Sequence, residues 1–162
     1  MATAVVGQPA PNFALPGIRR DADAAGGFVR SDFTLTAERG HPVVVVFYPG
    51  DESAVCTAQL CSYQAELSQF TDLGAAVLAI SKQGIDSHER FARKEGLSFP
   101  LLSDTQGIAV AAYGIGLAGL GLRRSVFVVD AQGVLRWKHV ALVGATFRSV
   151  DVIRRQLEAV AA

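Results

Sequence analysis

The 162-residue sequence carries no surplus of charge, since fifteen Lys and Arg balance fifteen Asp and Glu. With no net field to attract a polyanion, binding to nucleic acid or to an anionic membrane surface is not expected. There is no positively charged start followed by a long apolar run, so no secretory leader is expected and the cytoplasm is the default compartment. Nor does any apolar stretch approach the roughly 20 residues of a spanning helix. His41, His88 and His139 stand far apart without ligand spacing, and surface or packing roles are expected for each. Only two cysteines occur, Cys56 and Cys61. In a reducing compartment such a pair is more often reactive or metal-binding than structural, and two alone cannot complete a tetrahedral zinc site.

Half of the residues are hydrophobic and 19% are charged, which fits an ordered chain able to bury one substantial core. A single domain over residues 1–162 is expected, without internal repeats. Residues 1–40, rich in Pro, Gly and polar residues, read as a β-rich lead-in with Val5-Val6 and Phe13-Ala14-Leu15 as short edge-strand islands. Val43 to Tyr48 is an unbroken β-branched and aromatic run of the kind buried on both faces of a central strand. A polar turn, Pro49 to Ser53, leads into a helix from Cys56 to Phe70, on which Leu60, Tyr63, Leu67 and Phe70 recur at helical spacing. Further strands are expected at 75–80, 101–102, 125–129 and 134–140. Helices are expected at 87–95 (capped by Asp86 or Ser87), 108–113 and 150–160. The alternation followed by a hairpin indicates an α/β fold, a mixed sheet flanked by helices.

The stretch Tyr48-Pro49-Gly50-Asp51-Glu52-Ser53-Ala54-Val55-Cys56 puts a thiol in the first turn of a helix, where unpaired N–H groups and the helix dipole favour the anion. A free thiol is only about 3% ionised at pH 7, and making the thiolate dominant requires roughly 3.4 kcal/mol. A helix end contributes about 0.3–1 kcal/mol, so a second positive group is needed. Without this placement Cys56 would read as a small buried hydrophobe, and for Cys61, beside Leu60 inside the helix, that reading is stronger. Helical residues five apart have Cα atoms about 8.5 Å from one another, beyond the ~7 Å reach of a disulfide. A bond between the two requires the helix to unwind.

These residues, with Gly7-Gln8-Pro9-Ala10-Pro11-Asn12-Phe13, Phe47-Tyr48-Pro49, Ala79-Ile80-Ser81, Phe99-Pro100-Leu101-Leu102-Ser103-Asp104 and Arg124-Ser125-Val126-Phe127-Val128-Val129-Asp130, resemble the peroxiredoxins, specifically the bacterioferritin-comigratory or Q-type branch. The resemblance implies a thioredoxin-like fold with an N-terminal β-hairpin. It implies a peroxidase in which Cys56 is the peroxidatic cysteine and Cys61 the resolving cysteine, recycled through a Cys56–Cys61 disulfide by thioredoxin or a similar dithiol. Pro49 would shield the site. Ser53 stands where the family usually has a Thr whose hydroxyl bonds the thiolate and the peroxide, and Arg124 matches the family's active-site Arg as the second positive group. Tyr48, Ser53 and Arg124 are the implied substrate contacts. No metal, haem or flavin is implied, and a monomer or weak homodimer is expected. The sequence departs from the family at Gly50, Ala54 and Val55, and the segment before Arg124 is shortened.

Other readings of the same residues remain open. A redox sensor or chaperone-like binding protein would use the same oxidation without turnover. A disulfide reductase needs a Cys-x-x-Cys pair that Cys56-Thr57-Ala58-Gln59 lacks. Arg123 and Arg124 alone would read as a solvated pair, whereas strand alternation sends them to opposite faces. Trp137 and Tyr113 are assigned to core or interface. Gly114 to Leu122 alternates Gly with aliphatics and lacks the Lys-Ser/Thr ending of a phosphate loop, leaving a mobile rim of the site or a subunit contact.

Overall fold

The computed structural model describes residues 4–161 apart from 118, 120 and 142–145. The chain runs through β1 (Ala14–Arg20), β2 (Phe28–Thr34), β3 (Val43–Phe47), α1 (Ala54–Ala65), α2 (Ser68–Thr71), β4 (Ala76–Ser81), α3 (Ile85–Glu95), β5 (Leu101–Ser103) and α4 (Ile108–Ala112). It continues with β6 (Gly116–Leu117), β7 (Gly121–Leu122), β8 (Ser125–Val129), β9 (Leu135–Val140) and α5 (Val150–Ala161). Among the described residues seven strands form one mixed sheet in the order β2-β1-β5-β4-β3-β8-β9, and β6 pairs with β7. β3 is parallel to β4 on one side and antiparallel to β8 on the other, so its whole length is interior. That is why every residue of the Val43–Phe47 run is buried.

The two-residue period of β3 divides the core. Val44, Val46 and Tyr48 face a cluster with Cys56, Leu60 and Tyr63 of α1, Phe91 of α3 and Ile153 and Leu157 of α5. Val43, Val45 and Phe47 face the opposite cluster, with Phe13, Leu35, Val110, Tyr113 and Phe127. Tyr113 is a core residue, its ring tilted against Phe47 and edge-on to Phe127. Trp137, on edge strand β9, is partly buried and stacks on His139.

Several boundaries differ from the sequence reading. Val5 and Val6 are exposed and form no strand; the segment is tied down just after them, where the Gly7 N–H donates to the Leu135 carbonyl at 2.8 Å and Pro9 bridges Val134. The expected helix over 56–70 is two pieces, because Glu66 leaves helical geometry (φ −118°, ψ 26°) before the short α2. α3 begins at Ile85 rather than Ser87 and has no side-chain cap, because its N-cap residue is Gly84; the Ser87 hydroxyl donates to Asp51 instead. No helix among the described residues is long and apolar enough to cross a membrane.

β1 is squeezed between β2 and β5, and Gly17 sits where the squeeze is tightest. A Cβ there would lie 2.8 Å from Phe33 Cδ1 and 2.9 Å from the Leu101 carbonyl oxygen. The carbonyl belongs to a strand and cannot step aside. Gly17→Ala is expected to lower stability by about 1–3 kcal/mol, read as a lower denaturation midpoint with an unchanged slope; an unchanged midpoint would refute the close approach.

Candidate active site

Antiparallel pairing of β3 with β8 brings the start of β8 alongside the end of β3, since Phe47 pairs with Ser125. Arg124, immediately before β8, thereby reaches the first turn of α1, which leaves β3 through the Pro49–Ser53 turn. Arg124 is buried at 4% exposure whereas Arg123 is exposed, as expected from alternation. The Arg124 Nη2 donates to Cys56 Sγ at 3.4 Å and its Nη1 to Gln59 Oε1 at 2.5 Å. Gln59 Nε2 donates to the Tyr63 hydroxyl at 3.1 Å, which in turn donates to the Arg148 carbonyl at 2.7 Å. Burial pushes the Tyr63 hydroxyl up to about 12, so it remains a neutral donor. The guanidinium is thus aimed at the sulfur by a chain of buried hydrogen bonds along one face of α1.

Cys56 is fully buried. It is the third residue of α1 behind Ser53, whose extended backbone (φ −69°, ψ 149°) gives the N-cap conformation, with its carbonyl accepting from Thr57 N–H at 2.9 Å. The Ser53 hydroxyl is exposed and does not cap the helix; it donates to the Gly50 carbonyl at 3.3 Å. Pro49 is exposed at the entrance to the turn. Glu52 takes a left-handed conformation (φ 63°), which disfavours a residue with a Cβ.

Asp51 holds that turn. Its carboxylate, 2% exposed, accepts from the Tyr48 hydroxyl (2.6 Å) and the Ser87 hydroxyl (2.7 Å) and lies 2.8 Å from His88 Nδ1. The Asp51 N–H donates to Gln83 Oε1 at 3.0 Å, and His88 Nε2 sits 2.9 Å from the Leu102 carbonyl. Burial alone would raise the Asp51 carboxyl, but the partners that donate to it, led by His88, outweigh this and hold it below the usual carboxylate range. Burial and the Asp51 charge push the Tyr48 hydroxyl well above its ordinary value. Tyr48 therefore braces the turn from behind.

Cys61 lies about 140° around α1 from Cys56, half-buried, with its Sγ donating to Glu95 Oε2 at 3.5 Å. Both cysteines are free. Among the described residues no group of His, Cys, Asp and Glu could hold a metal ion. The sequence reading gives Gln59 no role, Tyr63 only a place on the apolar face of the helix, and His88 only a surface or packing role. The signal for Gln59 was its place at helical spacing with Cys56, Leu60 and Tyr63, a polar residue on an otherwise buried face. For His88 it was the spacing to Phe91 and Ala92 on the inward side of α3.

A seven-stranded mixed sheet flanked by helices, with a buried thiol in the first turn of the helix after an interior strand, is a thioredoxin-like fold. The comparisons with known proteins agree. A family model described as the AhpC/TSA family matches residues 6–138, and the chain belongs to that family. It is 33% identical over 153 residues to peroxiredoxin Bcp of Xanthomonas campestris pv. campestris, across 89% of this chain and 91% of that one. It is 36% identical over 133 residues to the chloroplastic peroxiredoxin Q of Oryza sativa subsp. japonica, across 81% of this chain and 57% of that one. Among solved structures, Mycobacterium bovis AhpC superposes with a TM-score of 0.86 at 25% identity, over 98% of this chain and 93% of that one. The reduced 2-Cys peroxiredoxin of Plasmodium vivax shares the fold with a TM-score of 0.85 at 23% identity, over 95% and 80% of the respective chains.

Arg124→Met removes the charge beside Cys56 and should slow the second-order reaction with hydrogen peroxide by about tenfold or more, while Arg123→Met, on the solvent side, leaves it within about twofold. Equal effects, or a larger one at Arg123, would show the charge acts elsewhere. Asp51→Asn tests the turn. Because the folded Asp51 carboxyl is held below its unfolded value of ~3.9, its stabilisation is present above that value and is lost as pH falls through the folded one. The variant should be less stable than wild type by about 1–3 kcal/mol at pH 7, with the gap narrowing in acid. A gap independent of pH would refute the carboxylate's part.

Proposed function

We propose that this peroxiredoxin reduces hydrogen peroxide and organic hydroperoxides through Cys56, with Cys61 as the resolving cysteine. The single observation that carries the reading is the Arg124 guanidinium donating to Cys56 Sγ at the start of α1. The guanidinium and the first-turn N–H groups of α1 both face the sulfur. The thiolate attacks one oxygen of the hydroperoxide and the O–O bond breaks. Cys56 becomes a sulfenic acid, and the other oxygen leaves as water or an alcohol once protonated. Arg124 and the Ser53 hydroxyl are the groups that bind the hydroperoxide, Pro49 shields the thiol, and Tyr48 acts through Asp51. Because Cys56 is fully buried, contact with a hydroperoxide requires a local opening of the turn or the helix start.

The Cys61 thiol then condenses with the sulfenic acid, the S–S bond forming as water leaves. α1 runs helical through both cysteines, and residues five apart in a helix are about 8.5 Å apart at Cα. The bond therefore forms only after the segment from Cys56 to Cys61 unwinds. An external dithiol of the thioredoxin type reduces the disulfide and restores both thiols. The chain acts in the cytoplasm as a monomer or weak homodimer.

Steady turnover of hydrogen peroxide with a thioredoxin system tests the cycle, because a sensor would oxidise once and stop. Cys61→Ser is expected to leave the first oxidation intact while abolishing the disulfide. Cys56 sulfinic acid should then accumulate in the mass spectrum of peroxide-treated protein. Absence of a Cys56–Cys61 cross-link in treated wild type would contradict the resolving role.

A further inference from the structure

The side of α1 that carries Cys61 is fastened to the end of α3. Gln64 Oε1 accepts the Ser98 N–H at 2.8 Å and Gln64 Nε2 donates to Ser98 Oγ at 2.9 Å, one helical turn beyond Cys61. Glu95 is the last residue of α3, which closes on Gly96 in the left-handed conformation (φ 69°). The carboxylate is thereby set against α1, 3.5 Å from Cys61 Sγ. Burial pushes the Cys61 thiol up, and the Glu95 hydrogen bond and negative charge push it further; Glu95 is the ionisable group acting on it. Lys94 Nζ pairs with Glu52 Oε1 at 3.5 Å, and the Arg124 guanidinium donates to Cys56 and Gln59.

We propose that Glu95 is a positioning residue for disulfide formation, holding Cys61 as a thiol on the folded helix and releasing it when the thiol loses its proton. The inference rests on the resolving role of Cys61. While the S–H is present it donates to the carboxylate, and unwinding α1 must break that contact. Once the sulfur is ionised, two negative charges face each other and the contact turns repulsive. The folded thiol ionises above its unwound value of about 8.5. The contact's contribution is therefore complete below that value and is lost as pH rises through the folded one. Rising pH then both generates the nucleophile and loosens the helix that keeps it away. The bond-forming step itself is balanced without Glu95. The Cys61 sulfur displaces hydroxide from the Cys56 sulfenic acid, the released proton completes water, and the carboxylate is unchanged.

Glu95→Gln keeps an acceptor at this position and removes the charge. The full reduced chain is mixed with stoichiometric hydrogen peroxide, quenched with alkylating agent at intervals across a pH series, and the intramolecular disulfide followed by mass spectrometry. Glu95→Gln should form it about threefold faster than wild type near neutral pH, with a shallower pH dependence and a gap that closes in alkali. Glu95→Asp, which keeps the charge, should retain the steep wild-type profile, and sulfenic acid formation at Cys56 should be unaltered in both. An unchanged rate and pH profile in Glu95→Gln would overturn the holding role, as would slower disulfide formation, which marks a proton acceptor instead. Failure of wild type to form the Cys56–Cys61 bond at all would overturn the resolving role and, with it, the part given to Glu95.

Discussion

The contact between the Arg124 guanidinium and the Cys56 sulfur is the constraint around which this structure is arranged. A buried cation is costly unless each donor finds an acceptor, and removing a single partner leaves the remainder stranded. Arg124 therefore comes with a retinue: Gln59 takes one nitrogen, Tyr63 orients Gln59, and the Arg148 carbonyl orients Tyr63. None of it assembles unless β8 lies directly against β3, so that the chain entering β8 faces the chain leaving β3. The sheet order is in this sense a requirement of the chemistry.

The same helix is tied at both ends of the segment that the proposed disulfide would unwind. Before Cys56, Asp51 is held by three side chains from β3 and α3 and by Gln83 through its backbone. After it, Cys61 rests on Glu95 and Gln64 on Ser98. What lies between has the strained Glu52 and an uncapped first turn. Anchors on both sides of the segment keep any opening local and leave the sheet beneath undisturbed.

The sequence was most legible where one physical signal dominated. The Val43–Phe47 run declared a doubly covered strand, the polar turn after it declared a helix start at the cysteine, and alternation separated Arg124 from Arg123. It was less legible where tertiary partners decided. α3 starts two residues early, after the extended Gly84, with Ser87 inside the helix and bonded to Asp51, and the long helix expected after Cys56 breaks at Glu66, which no Pro or Gly marks. His88 reads from the sequence only as a surface or packing residue, because its partners, Asp51 and the Leu102 carbonyl, are remote in sequence and meet only once β3, β5 and α3 are in place. The hydroxyl of Ser53 could be located on the turn, but its bond to the Gly50 carbonyl depends on the turn's closed path.

The claim on which the account turns is that the thiol facing Arg124 is the group that meets the peroxide. It is tested most directly by a single turnover without reductant, in which reduced wild type and Cys56→Ser are each mixed with stoichiometric hydrogen peroxide and the peroxide remaining is followed with time. Wild type is expected to consume it in step with the loss of the Cys56 thiol, and Cys56→Ser to consume none on that timescale, because a hydroxyl is a poor nucleophile near neutral pH. Consumption by Cys56→Ser at even about a tenth of the wild-type rate would place the reaction at another residue.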